Sequence, residues 1–300
     1  MRDFLHMILY SYEVPADSFW HAEAFTSIWH YFYIVVIAGA IIGGAIALNR
    51  SSDKTKKRVL DILPIVVIGL YIFDLFVRPI AGLEFANDKS FQQPINGYLD
   101  KLPFHICTSM GIVCVFAQHC KKLEKFKGPF VILSIVGPLM YMVAPIAVFE
   151  DNHVFCYNTI QTILFHGVLM AWGILSITTG QVKVSIKNWY KTLAIQGVLF
   201  LWGVFGNVVF SNMSSVATWN ESGSYNWFFI KDGAGVIPNV ISGPYSELIY
   251  AIYAPFGVFA AIYAVAIGVY GCAHLGYFIA GKCKKNKTKV EQKVEEAAIV

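Results

Sequence analysis

Charge is scarce in this chain. Asp, Glu, Lys and Arg make up 14% of its 300 residues, against roughly 25% in soluble domains. Hydrophobic residues reach 56%, aromatics 15% and mean hydropathy +0.56. That balance excludes an ordinary soluble enzyme and indicates a polytopic membrane protein. No signal peptide is legible, because the run Phe4–Tyr10 is too short and meets Glu13, Pro15 and Asp17. The six cysteines form no disulfide framework. Cys114, Cys120, Cys272 and Cys283 fall in the membrane or on the reducing side. Cys107 and Cys156 share the other side and could pair. There is no phosphate-binding glycine loop and no serine elbow, and no cofactor is expected.

Long apolar runs fill this frame. They predict seven spans near 30–48, 59–80, 102–119, 129–148, 159–179, 192–212 and 244–279, most of them close to the roughly 20 residues that a bilayer requires. The fold class expected is all-α, a seven-helix membrane protein. Lys and Arg set its orientation. The loops 49–58, 119–127 and 180–191 and the tail from Lys282 hold eighteen of the 23 basic residues. The other side holds Arg2, Arg78, Lys89, Lys101 and Lys231. The positive-inside rule then puts the N-terminus outside and the C-terminus inside. Three regions follow: an external interfacial segment over 1–29, a membrane domain over 30–281 and a cytoplasmic Lys/Glu-rich tail over 282–300. The tail fits anionic inner-leaflet lipid better than nucleic acid. The aromatics of 15–29 suit a membrane interface. The long external loop 213–243 carries Trp219 and Trp227, which suggests packing over the outer mouth.

A weak repeat is also visible. His30 and His166 enter spans one and five from outside, Asp74 and Asn207 hold similar places in spans two and six, and Pro103 and Pro244 open spans three and seven. This predicts a 3+1+3 pseudo-repeat with span four as linker, an arrangement found in transporters. Gly39 and Gly43 read as ordinary small-residue helix packing.

Polar residues in hydrocarbon are costly unless they face a partner or a cavity. Asp74, Arg78, His105, His166, Asn207 and Glu247 are all expected in the outer third of their helices, with His30 at the outer mouth. Asp74 and Arg78 are i, i+4 and can form an ion pair. Arg78 could hold an anionic head group while Asp74 orients a histidine. Tyr250 adds hydrogen-bonding capacity beside Glu247. Each of these residues alone is more often glue between helices.

Lys101-Leu-Pro-Phe-His-Ile-Cys107 brings a His and a Cys to the mouth of span three. Two residues apart on a helix they diverge by about 200°, so His105 reaches Cys107 only if Pro103 distorts the first turn. His166, expected at a similar depth, is the better base, because a thiol requires an imidazole or cation to act as a nucleophile. The bland alternative is a small apolar Cys and a backbone-bonded His. His30, His105, His153 and His166 with Asp74 could also form a metal shell, but no pair has the i, i+3 or i, i+4 spacing of familiar ligand motifs.

Ser27-x-x-His30, Leu102-Pro-Phe-His-Ile-Cys107, His166, Asn207 and Gly243-Pro244 together resemble the YwaF-type bacterial integral membrane proteins, distantly grouped with the eukaryotic transmembrane protein 164 acyltransferases. The resemblance implies a multi-pass protein of the bacterial cell membrane that acts on membrane lipids. It implies phospholipid acyl transfer or hydrolysis with Cys107 as acyl acceptor and His166 or His105 as base. His30, Asp74, Arg78, Asn207, Glu247 and Tyr250 would then bind substrate. Two departures stand out: Tyr245 follows Gly243-Pro244 where Trp is usual, and Thr108 follows the Cys where bacterial members often carry an acid. A seven-helix transporter or solute-binding component using the same polar layer is the main alternative, and a metal-dependent membrane enzyme the second.

Overall fold

The structure is a computed structural model. It describes residues 18–22, 27–84, 102–143, 152–210 and 246–298, except the side chains of 21–22, 77–84, 152, 158, 246–248, 250–252 and 283–298. The helices among these residues are α1 (Ile28–Asn49), α2 (Asp53–Glu84), α3 (Ile106–His119), α4 (Lys127–Val143), α5 (Tyr157–Thr178), α6 (Trp189–Phe210) and α7 (Ser246–Ala298). Six segments are long and apolar enough to cross a membrane; α3 is apolar but shorter. This is a multi-pass membrane protein. Exposed Ile28, Val35, Ile42, Leu201, Val208 and Phe256 suit a lipid-facing surface.

The third span was expected over 102–119, but the helix begins only at Ile106. Its 14 residues cover about 21 Å at 1.5 Å per residue, short of a hydrocarbon core of about 30 Å. The cause is local. Pro103 disfavours helical backbone at Leu102, and His105 is an extended N-cap with φ −83° and ψ 152°. Non-helical backbone at membrane depth requires protein or a cavity around it. Helix α6 supplies the protein. Phe104 is buried against Gly206, where a Cβ would stand 2.5 Å from the ring. The indole Nε1 of Trp202 donates to Pro103 O at 2.8 Å, and Ser109 Oγ donates to the same carbonyl.

Helix α4, the linker of the expected repeat, is instead a central element of the bundle. It packs on α3, α5, α6 and α7 and is buried without a break from Val131 to Pro138. Its contact with α5 is the most extensive in the bundle. Gly173 makes it possible: a Cβ there would stand 2.6 Å from Ile135 Cγ1 and Ser134 Oγ, and 3.0 Å from Val131 O. Gly39 and Gly43, read from sequence as packing glycines, meet nothing within 4 Å. Helix α1 lies at the edge, with 11% of its span buried, so no neighbour reaches that face.

Helix α7 continues through the Lys-rich tail as one element of 53 residues. At 1.5 Å per residue that is about 80 Å, far more than a bilayer requires. Its apolar part is Tyr253–Lys282.

Polar contacts between helices are not confined to one end. Gln118 Nε2 donates to Asp61 Oδ1 at 2.6 Å and Trp172 Nε1 donates to Gln118 Oε1 at 3.2 Å, while Lys57 pairs with Asp61 at 2.7 Å. This chain ties α2, α3 and α5 together near the basic ends. Gln196, fully buried, donates to Phe259 O at 2.7 Å and ties α6 to α7. Sequence reading ranked residues by charge and passed over these amides.

At the opposite end, β1 (His21–Ala22) pairs antiparallel with β2 (Asn152–His153). Trp29 Nε1 donates to Phe19 O, and Tyr33 Oη donates to Val154 O. Trp20 stacks on Trp29 and on His153. The aromatic segment before α1 therefore clasps the chain that leads into α5. His153 Nδ1 accepts the Phe155 N–H at 3.1 Å, so that nitrogen is unprotonated. Burial holds this imidazole below its ordinary value of 6.5. The unfolded chain then binds the proton first. The contribution of the neutral ring is complete above about pH 6.5 and is lost as pH falls through the folded value. The protection factor of the Phe155 amide in hydrogen exchange is expected to fall as the pH is lowered below about 6.5. An unchanged factor would refute the coupling.

Candidate functional site

Cys107 is the second residue of α3 and half-buried. It therefore lies in the first turn rather than five residues inside a span. Its Sγ packs on Gly137 of α4, where a Cβ would stand 2.9 Å from the sulfur and 3.2 Å from Ile106 Cγ2. Only a glycine at 137 lets the thiol come this close. Tyr141 lies one turn further along the same face of α4, within electrostatic reach of the Cys107 thiol.

His166 completes the group from α5. It is buried and its ring stacks on Tyr141, with centroids 3.9 Å apart and planes 9° from parallel. Its Nδ1 contacts Thr162 O at 2.7 Å. A carbonyl only accepts, so Nδ1 carries the hydrogen and Nε2 carries the basic lone pair. Tyr141 of α4 thus touches His166 of α5 and lies within electrostatic reach of Cys107 of α3.

The other expected site residues have different surroundings. His30 is buried on α1, and its Nε2 donates to Met142 O at 2.8 Å. That carbonyl lies in the last described turn of α4, so the imidazole ties α1 to that end of α4. His30 and His166, equivalent in the expected repeat, therefore make unlike contacts. His105 precedes α3 and makes no side-chain capping bond. Because it is extended, the 200° helical separation from Cys107 does not apply to it. Asp74 is buried near Tyr71, on the seam where Phe165 meets Tyr71 and Gln161 donates to Leu70 O. Asn207 is buried on α6 and donates to Gly203 O at 2.9 Å. The side chains of Arg78, Glu247 and Tyr250 lie outside the described residues, and with them the expected Asp74–Arg78 pair.

Cys107 and Cys156 are both free thiols. Cys156 Sγ contacts Thr159 Oγ1 at 3.1 Å and stands at the N-cap of α5. Among the described residues no three His, Cys, Asp or Glu side chains come together as a metal shell. An open apolar groove of about 510 Å³ runs between α1 and α5, lined by Ile41, Ile46, Arg50, Ile174 and Thr178 among others. It lies toward the C-terminal ends of α1 and α5, and Cys107 is not among its lining residues.

Sequence reasoning missed Tyr141, Gly137, Phe104 and Trp202. The only available signal was the i, i+4 spacing of Gly137 and Tyr141, and a tyrosine in an aromatic-rich membrane chain attracts no notice. The family model that matches is that of the TMEM164 family, over residues 19–269. No curated protein and no solved structure matches the chain.

Proposed function

Since the chain belongs to the TMEM164 family, we propose that it is a membrane-embedded enzyme that transfers or hydrolyses a phospholipid acyl chain, with Cys107 as nucleophile and His166 as base. The observation that supports this is the meeting of Cys107, Tyr141 and His166 from α3, α4 and α5. His166 Nε2 takes the thiol proton while Nδ1–H holds the ring against Thr162 O. The sulfur attacks the ester carbonyl, and the imidazolium returns its proton to the departing lipid hydroxyl. The resulting thioester passes its acyl group to a second lipid or to water. The helix N-terminus under Cys107 favours negative charge developing at that point. The test is conversion of a phospholipid with a fluorescent acyl chain by the purified protein in vesicles, with and without a lysophospholipid acceptor. A new acylated lipid or a free fatty acid is the expected product. No conversion under either condition refutes the reading.

The proposed arrangement in the bacterial cell membrane has seven passes, with α3 and its Leu102–His105 lead-in forming the third. The N-terminus is outside and the Lys-rich end of α7 inside, as the eighteen-to-five split of basic residues supports. Protease added to intact cells should leave residues 282–300 uncut. Their removal would reverse the orientation.

A further inference from the structure

The Tyr141 hydroxyl is buried and has no hydrogen-bond partner among the described residues. Buried phenols ordinarily find one, and leaving a buried polar group unsatisfied costs about 1–3 kcal/mol. The ring itself is well held. It stacks on His166 at 3.9 Å, and Tyr141 is part of α4, which packs on four other helices. The hydroxyl therefore has little freedom to turn elsewhere. It is kept within electrostatic reach of one chemically distinctive neighbour, the Cys107 thiol. A bound group with an acceptor oxygen next to that sulfur would satisfy it.

We propose that Tyr141 is the hydrogen-bond donor to the carbonyl oxygen of the acyl ester, satisfied only when substrate is bound at Cys107. This rests on the acyl-transfer reading above and assigns a third catalytic residue to that site. In the step concerned, the Cys107 sulfur forms a bond to the carbonyl carbon as its proton passes to His166 Nε2. The carbon–oxygen π pair moves onto the carbonyl oxygen, which takes the Tyr141 hydrogen bond. When the tetrahedral species collapses, that pair re-forms the carbonyl. The ester bond breaks, and the leaving alkoxide takes the proton from His166. A donor fixed beforehand where charge develops is the largest single source of stabilisation in such reactions. Stacking on His166 gives the ring a second role: it holds the donor and the base in register.

The experiment separates the oxyanion from the thiol. Purified full-length protein in detergent is reacted with 4-nitrophenyl hexanoate, and acylation of Cys107 is followed by intact mass and nitrophenolate release. In parallel, Cys107 is alkylated with iodoacetamide, a displacement that forms no oxyanion. Tyr141→Phe keeps the ring and the stacking. It should slow acylation by about 10²–10³-fold while alkylation stays within about two-fold. Tyrosine replaced by 3-fluorotyrosine at 141 keeps the donor and should restore acylation. Equal acylation by wild type and Tyr141→Phe overturns the proposal. So does a parallel fall in both reactions, which would mean that Tyr141 only positions the thiol. A wild-type protein that is alkylated but never acylated overturns the cysteine mechanism itself, and this inference with it.

Discussion

Cys107→Ala is expected to abolish conversion of the fluorescent phospholipid, by about 10³-fold or more, while the folded protein remains in the membrane. The stability cost should be small, about 1 kcal/mol, because the thiol is half-buried and rests on a glycine. Cys107→Ser should fail as well. A hydroxyl in the same position is a far weaker nucleophile. Two other cysteines serve as controls. Cys156→Ala removes only a contact to Thr159, and Cys114→Ala a bond to Gly111 O. Both should keep activity. If Cys107→Ala retains conversion, or if Cys156→Ala loses it equally, the nucleophile assignment is wrong.

Gly173→Ala should give the largest structural effect, at about 1–3 kcal/mol. Its new methyl would meet Ile135 Cγ1 and Ser134 Oγ at 2.6 Å and the backbone oxygen of Val131 at 3.0 Å. Side chains can turn aside, but a helix carbonyl cannot, so α4 and α5 must separate. His166 and Tyr141 belong to these two helices, and their 3.9 Å stacking should loosen with the packing. Thermal unfolding in detergent should show a lowered midpoint, with lipid conversion reduced in parallel. Gly43→Ala on α1 meets nothing within 4 Å and should be neutral. A neutral Gly173→Ala would mean that the two helices are not in close contact.

Much of the fold was legible because hydrocarbon constrains sequence strongly. Apolar length marked α1, α5 and α6 to within about three residues and located α2, α4 and the start of α7. The structure adds that Ser27 caps α1, its hydroxyl accepting the Trp29 N–H. Span three was misjudged because hydropathy does not register where backbone becomes helical. Leu102 to Phe104 are apolar enough to count as membrane, yet Pro103 and the docking of Phe104 on α6 keep them out of the helix. Tail residues past Lys282 read as a separate appendage because charge stops a span, although charge does not stop a helix.

The site divided in the same way. His166 and Cys107 were chosen from sequence because a buried imidazole and a thiol at a helix mouth are costly or reactive wherever they lie. That cost belongs to the residue type and is visible in one dimension. Which residues meet is decided by side-chain volume between helices. Gly137 admits the sulfur, Gly173 draws α5 onto α4, and Gly206 seats Phe104 so that α3 begins where it does. Glycines of this kind look no different in sequence from Gly39 and Gly43, which face open space. The sequence by itself determined a multi-pass membrane protein and which of its segments carry the basic residues. Tertiary structure alone decided that α4 is the hub, that Tyr141 stacks on His166 and that Gly137 takes the Cys107 sulfur, because close approach depends on what lies opposite each missing side chain.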